Sequence, residues 1–227
     1  SEITFTSGAS EANNWVLTSF ESGLIGPFEH PSVRAVADAR GFGVLGHDGM
    51  RLSGPPQPAE LVSVMAVQNE FGACFDLSSL RAWGRHTHSD VTQAVGKVLF
   101  DLAPLDFASF SGHKMYAPMG IGGLYRRGDA SLAPLIDGGG QERGQRAGTL
   151  NVPGIVGLGA AAAIARDERE ADYEHATQLR DLIIDELQSV PDMRALINER
   201  QSPFVTALQF HGVEGESLVL DLDRQGF

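Results

Sequence analysis

The stretch Phe-Ala-Ser-Phe-Ser-Gly-His-Lys, residues 107–114, joins a predicted strand to a loop that carries a lysine. Its first half is apolar and compact, which predicts a buried strand, and Gly112 breaks that pattern. Lysine is scarce here, because Lys97 and Lys114 are the only two among 17 basic residues. A lysine at a strand end, beside hydroxyl and imidazole groups, is well placed to form a Schiff base with a carbonyl cofactor. We assign that role to Lys114 and a surface role to Lys97, which lies in a predicted turn.

Short apolar runs alternate with helical stretches on both sides of this segment, which is typical of a mainly parallel sheet covered by helices. The predicted strands are Ile3–Phe5, Leu61–Met65, Phe107–Phe110, Gly122–Tyr125 and Val205–Phe210, and the predicted helices begin near Ala9, Gly154 and Glu214. We therefore predict an α/β domain over residues 1–168 and a smaller, incomplete α+β piece over residues 169–227.

The composition excludes several classes of function. The 227 residues carry 17 basic and 29 acidic side chains, a net charge of −12, so DNA and anionic membrane surfaces would be repelled. No stretch is long and apolar enough to span a bilayer. The single cysteine, Cys74, cannot form an internal disulfide, and we interpret it as a packing residue. We expect a cytoplasmic protein that binds neither nucleic acid nor membrane.

At both ends, the sequence interrupts a predicted pattern of secondary structure. Ser1 is followed directly by a strand pattern, with no initiator methionine and no signal sequence. At the other end, the apolar helical pattern of Leu218 to Leu222 stops within a few residues, at Phe227. We expect the chain to be a fragment of a longer protein.

A candidate anion site lies in residues 6–14, Thr-Ser-Gly-Ala-Ser-Glu-Ala-Asn-Asn. Free backbone N–H groups at a helix N-terminus, with the hydroxyl of Ser10 beside them, can bind a phosphate. The alternative is an ordinary helix start at which Ser7 caps the first turn. The segment by itself leaves both interpretations open.

A polar segment at residues 86–93, His-Thr-His-Ser-Asp-Val-Thr-Gln, also admits more than one interpretation. His86, His88 and Asp90 have a spacing that resembles part of a zinc ligand run. Alternatively, Asp90 ends a strand and pairs with a protonated pyridine nitrogen, while Gln93 donates to a ring oxygen. A loop with solvated histidines is the third possibility.

Taken together, the motifs of this chain resemble the cysteine desulfurase family, in the family's own order and over nearly the whole sequence. These are pyridoxal phosphate (PLP) enzymes of fold type I in the class V aminotransferase group, and the last motif resembles the branch that serves iron–sulfur cluster assembly. The segments that carry the resemblance are 6–14, 29–33, 62–65, 69–72, 88–93, 111–114 and 138–151.

The resemblance implies a mainly parallel, seven-stranded sheet with helices on both faces, and it implies a role for each matching residue. Lys114 would hold PLP and Asp90 would pair with the ring nitrogen, while His30 would stack on the ring and assist proton transfer. Gln93 and Asn69 would lie near the phenolic oxygen.

The phosphate of PLP would be bound by hydroxyl, imidazole and backbone N–H groups, and Thr149 would reach the phosphate of a neighbouring subunit, which implies a homodimer. The resemblance implies no metal. The cofactor-binding residues are therefore expected to be Ala9, Ser10, His30, Asn69, Asp90, Gln93, Ser111, His113, Lys114 and Thr149, with Lys114 and His30 also catalytic.

The implied reaction converts L-cysteine to L-alanine and passes the sulfur, as an enzyme persulfide, to an acceptor protein. The alternatives are a class V aminotransferase, a selenocysteine lyase-like enzyme and a non-catalytic partner protein with this fold. Phe227 comes just before the loop in which the family carries its persulfide cysteine, so we expect the chain by itself to be inactive.

Overall fold

The computed structural model describes residues 2–227, and its centre is a seven-stranded sheet with the strand order β1-β9-β8-β7-β6-β2-β3. The strands are β1 (Ile3–Thr6), β2 (Gly23–Ile25), β3 (Gly43–Val44), β4 (Gly46–Asp48), β5 (Arg51–Ser53), β6 (Ala59–Ser63), β7 (Gly84–Asp90), β8 (Phe107–Ser111), β9 (Gly122–Arg126), β10 (Met193–Ala195) and β11 (Leu208–Phe210). The helices are α1 (Ala9–Thr18), α2 (Pro31–Arg40), α3 (Leu80–Trp83), α4 (Val152–Leu187) and α5 (Gly215–Arg224).

The sheet is mainly parallel, as predicted. Strand β2 runs parallel to β3 and β6, β6 to β7, and β7 to β8. Strand β9 runs antiparallel between β8 and β1. The pairs β4–β5 and β10–β11 form two small separate antiparallel sheets. The carboxyl ends of β6, β7 and β8 therefore lie side by side, where α/β proteins commonly bind ligands.

Each face of the sheet buries its own apolar cluster. Helices α1 and α2 pack on one face, where Trp15 and Leu17 meet Leu61 of β6. The next residue of β6, Val62, points to the opposite face, as the period of a strand requires. That second face is covered by short α3 and by connecting segments, with Leu80 and Leu105 in the core. Alternate residues of β6 thus pack into the apolar clusters on the two faces of the sheet.

Several element boundaries differ from the sequence prediction. Strand β6 covers Ala59–Ser63 and not 61–65, and β11 is confined to Leu208–Phe210. Helix α4 is one continuous helix of 36 residues, so the predicted domain boundary at 168/169 falls inside it and stays a prediction. None of the helices in residues 2–227 has the length and apolarity needed to cross a bilayer.

Gly122 is a position at which the fold tolerates no side chain. A Cβ atom there would lie 2.7 Å from the Cα of Gly8 and would collide with the carbonyl oxygen of Phe110. The close approach brings β9 against the loop that begins α1. In helix α4, by contrast, a Cβ on Gly159 would meet nothing within 4 Å.

We expect Gly122→Ala to lower the free energy of unfolding by about 1–3 kcal/mol, because the backbone must shift to admit the methyl group. The matched substitution Gly159→Ala should raise it by about 0.5–1 kcal/mol, since alanine favours a helix interior. Chemical denaturation of both variants measures the difference. Equal effects of the two substitutions would show that the contact between β9 and the loop is not tight.

Candidate active site

A cavity of about 280 Å³ lies at the carboxyl ends of β6, β7 and β8, next to the first turn of α1. Nine of the ten residues predicted to bind a cofactor line it: Ala9, Ser10, His30, Asn69, Asp90, Gln93, Ser111, His113 and Lys114. Thr149, the tenth, is not among its lining residues and is exposed. The predicted residues therefore converge on one site although they come from many parts of the sequence.

The first turn of α1 offers donors to an anion. The residue before the helix is Gly8, which has no side chain to cap the first turn. The interpretation of Ser7 as a cap is therefore wrong; its N–H instead donates to Glu11 Oε2 at 2.8 Å. The Ala9 N–H donates to Ser111 Oγ at 2.7 Å, which leaves the hydroxyl hydrogen of Ser111 for a ligand. With Ser10 and His113 also facing the cavity, this donor set fits a phosphate.

Asp90 is the last residue of β7 and is only 6% exposed. Its Oδ2 accepts a hydrogen bond from Asn13 Nδ2 at 2.7 Å, and its Oδ1 accepts one from the Thr92 N–H at 3.0 Å. A buried carboxylate needs such partners, because an unpaired buried charge is costly. Asp90 also lines the cavity, so a cationic ring nitrogen there would find a fixed acceptor.

His88 lies fully buried two residues before Asp90, and both of its ring nitrogens are occupied. Nδ1 is 2.8 Å from Ser63 Oγ and Nε2 is 3.0 Å from Ser109 Oγ. Burial lowers the pKa of His88 to about 4, against the attraction of Asp90. The zinc interpretation of this segment is therefore wrong, because the one lone pair of the neutral His88 ring is engaged by a serine hydroxyl and is not free to bind a metal. Residues 2–227 also contain no cluster of three His, Cys, Asp or Glu side chains that could hold a metal ion.

Glu29 is a half-buried acidic residue that the sequence analysis did not single out. Its Oε1 accepts a hydrogen bond from the Met65 N–H at 2.7 Å, while its buried Oε2 has no hydrogen-bond partner in residues 2–227. Burial raises the pKa of Glu29 well above its usual value, and the nearby Asp90 carboxylate raises it further. The position directly before His30 is the one sequence feature that could have drawn attention to it.

Lys114 lies on a 3₁₀ turn, Gly112–Met115, that follows β8 directly. The turn rests on α4, because a Cβ on Gly112 would lie 2.9 Å from Leu158 Cδ1 of that helix. Lys114 is exposed and lines a second cavity of about 430 Å³, which lies between the turn and α4. Lys114 thus borders both cavities.

The surface role assigned to Lys97 is wrong. Its Nζ donates to Gln93 Oε1 at 3.1 Å and lies 5.8 Å from the centre of the Phe204 ring. Burial lowers the pKa of Lys97, and the charge of Lys114 lowers it further. Because the side chain holds the oxygen of the Gln93 amide, the Nε2 group of Gln93 is left as a donor for the cavity.

Arg146 ties the loop that carries Thr149 to helix α1. Its guanidinium binds both carboxylate oxygens of Glu11, at 2.7 and 3.0 Å. Burial opposes the ionisation of Glu11, but hydrogen bonds from Arg146 and Ser7 outweigh it and lower the pKa. This bidentate pair fixes the loop relative to the anion site.

Cys74 lies outside the 280 Å³ cavity and packs against the second apolar cluster. Burial raises the pKa of its thiol, so it is a poor nucleophile at neutral pH. Both findings agree with a packing role.

The description "Aminotransferase class-V" belongs to the family model that matches residues 56–227. The chain belongs to the class V aminotransferase family. Members of this family are PLP-dependent, and the anion site, the buried Asp90 carboxylate and the Lys114 amine are the groups that PLP requires.

The relatives of this chain include cysteine desulfurases. It is 38% identical to "Cysteine desulfurase IscS" of Rickettsia akari, over 96% of this chain and 61% of the relative. It is also 38% identical to "Probable cysteine desulfurase, mitochondrial" of Schizosaccharomyces pombe, over 97% of this chain and 50% of the relative. The chain thus spans about half to three fifths of the length of these relatives.

Solved structures give the same result for the fold. A NifS-like protein superposes with a TM-score of 0.90 at 32% identity, over 100% of this chain and 70% of that one. DndA from Streptomyces lividans superposes with a TM-score of 0.81 at 32% identity, over 98% and 72%. The predicted fold type I, with its mainly parallel sheet, is confirmed.

We expect His88 to make this family member less stable in acid. The pKa of His88 is about 4 in the folded protein and about 6.5 in the unfolded chain. As the pH decreases, the unfolded chain therefore binds a proton at His88 before the folded protein does. The contribution of His88 is therefore complete above about pH 6.5 and is lost between pH 6.5 and 4, a loss on the order of 3 kcal/mol. Chemical denaturation at pH 7 and 4.5 should show a smaller loss in His88→Gln than in the wild type.

His211→Gln is the matched control, because His211 is exposed. It should retain the full wild-type loss between the two pH values. A loss of the same size in His88→Gln and the wild type would contradict the assignment.

Proposed function

We propose that this chain is the PLP-binding part of a cysteine desulfurase, which converts L-cysteine to L-alanine and transfers the sulfur as an enzyme persulfide. The observation that carries the proposal is the cavity that Lys114 and Asp90 share with the start of α1. The names of the relatives supply the substrate. Residues 1–168 would form the cofactor-binding domain, and 169–227 would form part of a smaller domain.

Each group of the cavity has a proposed task. When bound, PLP supplies an electron sink for the bonds at the amino acid Cα. Lys114 Nζ would hold the cofactor, and Asp90 would keep a proton on the ring nitrogen. His30 would lie against the ring, with Gln93 and Asn69 at the phenolic oxygen. The phosphate would take hydrogen bonds from Ser10, near the start of α1, and from Ser111 and His113, at and just after the end of β8.

The sulfur would be received by a cysteine outside this sequence. Cys74 is the only cysteine in the 227 residues, and it neither lines the cavity nor has a lowered pKa. The same observation favours a second candidate, a protein that binds PLP in this fold without catalysis and serves a partner. Turnover of L-cysteine by the full-length protein separates the two candidates.

We also propose a homodimer in which Thr149 reaches the partner's phosphate site. Thr149 is exposed, and the large apolar residues Tyr116, Met119, Val152 and Val156 are exposed near the turn that carries Lys114 and at the start of α4. Exposed apolar groups of this kind favour a protein interface. The same proposal includes a sulfur-acceptor protein, a role in iron–sulfur cluster assembly and a cytoplasmic location.

Borohydride reduction of the full-length protein with PLP should attach a pyridoxyl group to Lys114, as peptide mapping would show. Lys114→Ala should lose at least nine tenths of the label, whereas Lys97→Arg should keep it. Wild-type protein should also form alanine from L-cysteine in step with persulfide. Label on Lys97 instead of Lys114 would overturn the assignment of the cofactor-binding lysine. A keto acid as the product would overturn the proposed reaction in favour of another class V activity.

We expect Met119→Glu to weaken the dimer at least tenfold, because a charge would be buried in the apolar interface. Sedimentation of the full-length protein over a concentration series measures the change. Val44→Glu is the control, since Val44 is exposed on edge strand β3, at the other side of the sheet from β1 and β9. A monomeric wild type would refute the interface directly.

A further inference from the structure

A buried amide connects the cofactor-binding carboxylate to the rest of the site. Asn13 of α1 is fully buried. Its Nδ2 donates to Asp90 Oδ2 at 2.7 Å and to Ser32 Oγ at 2.8 Å, and its Oδ1 accepts from the Ser109 hydroxyl. All the hydrogen-bonding groups of this amide are therefore used.

The donors and acceptors of this network can have only one arrangement. The Asp90 carboxylate already accepts from the Thr92 N–H and offers only acceptor atoms, so the NH₂ group of Asn13 must face it. Both hydrogens of that group are then spent on Asp90 and Ser32. The Ser32 oxygen accepts one of them, which leaves its own hydroxyl hydrogen free to donate.

That hydroxyl hydrogen goes to His30. Nδ1 of His30 lies 2.8 Å from Ser32 Oγ and 3.2 Å from the Ser32 backbone nitrogen, whose N–H donates to it as the cap of helix α2. A nitrogen that accepts two hydrogen bonds carries no proton. Neutral His30 therefore has its proton on Nε2.

The Nε2–H group belongs to a ring that lines the cavity, and it has no hydrogen-bond partner in residues 2–227. The opposite tautomer would set a ring N–H against the backbone N–H of Ser32. It would also require the Ser32 oxygen to accept two hydrogen bonds while its own hydrogen lost its acceptor.

We propose that Asn13 and Ser32 are positioning residues that hold His30 as the Nε2–H tautomer, so that His30 presents a hydrogen-bond donor, and not a basic lone pair, to the cavity. The inference rests on the proposed function and refines it. His30 would bind and orient an acceptor on the substrate, and proton removal would be left to another group of the site.

The test is the tautomer of His30 in full-length protein labelled with ¹⁵N-histidine, without added PLP, at pH 8. Long-range ¹H–¹⁵N correlation spectra distinguish a protonated ring nitrogen from one with a lone pair. His30→Gln identifies the signal among the histidines. We expect the lone pair on Nδ1 and the proton on Nε2; the reverse assignment in the wild type would overturn the proposal without any variant.

Substitutions at Ser32 separate positioning from general structure. Ser32→Ala should raise the ratio of the Nδ1–H to the Nε2–H tautomer about fivefold, because one of two donors to Nδ1 is lost. Ser32→Thr, which keeps a hydroxyl, should restore the wild-type ratio. Ser89→Ala is the control, since its hydroxyl is buried near Asp90 and has no hydrogen-bond partner in residues 2–227. An unchanged ratio in Ser32→Ala would refute the role of the hydroxyl.

The spectra need neither cofactor nor turnover, so the two proposals fail separately. A wild-type Nε2–H signal without pyridoxyl label on Lys114 would support the positioning of His30 and refute the proposed PLP-dependent function. Label and alanine formation together with an Nδ1–H signal would retain the enzyme and refute the network.

Discussion

The hydrogen bond between Asn13 and Asp90 joins helix α1 to the end of strand β7, and the geometry of the site depends on it. A carboxylate that is almost completely buried needs donors close by. Asn13 provides one donor and also bonds to Ser32 and Ser109, so a single amide fixes α1 against α2, β7 and β8. The first turn of α1, the Asp90 carboxylate and the turn of Lys114 consequently meet at one cavity.

The site residues that apolar periodicity alone could place are those that follow apolar strands, whereas others, such as His30 and Asn69, are placed through the family resemblance. Ser10 follows an apolar β1, and Lys114 follows an apolar β8, so their places at the carboxyl edge of the sheet are implied by the pattern. Strand β7 is different, because its sequence Gly-Arg-His-Thr-His-Ser-Asp has no apolar periodicity. It is buried because Ser63, Ser109 and other partners satisfy its polar groups, and sequence spacing does not reveal partners on other elements.

Long-range contacts explain the remaining differences. Lys97 lies in a turn, where a charged side chain is usually exposed, but the ring of Phe204, from a distant part of the chain, packs against its amine. The carboxylate of Glu29 accepts a hydrogen bond from the backbone N–H of Met65, which is close to it only in the folded protein. Burial of a charged side chain is thus decided by what packs over it, which no local pattern records.

Helix α4 has a mechanical consequence. At 1.5 Å per residue, its 36 residues make a rod of about 54 Å. One end of the rod bears on the turn of Lys114 through Leu158, and the other end, Leu187, lies 29 residues further along the helix. A tilt of about 5° around that contact displaces the far end by roughly 4 Å, from the same rise per residue. A movement of several ångströms at the distal end therefore corresponds to a displacement of less than about 1 Å beside the turn of Lys114.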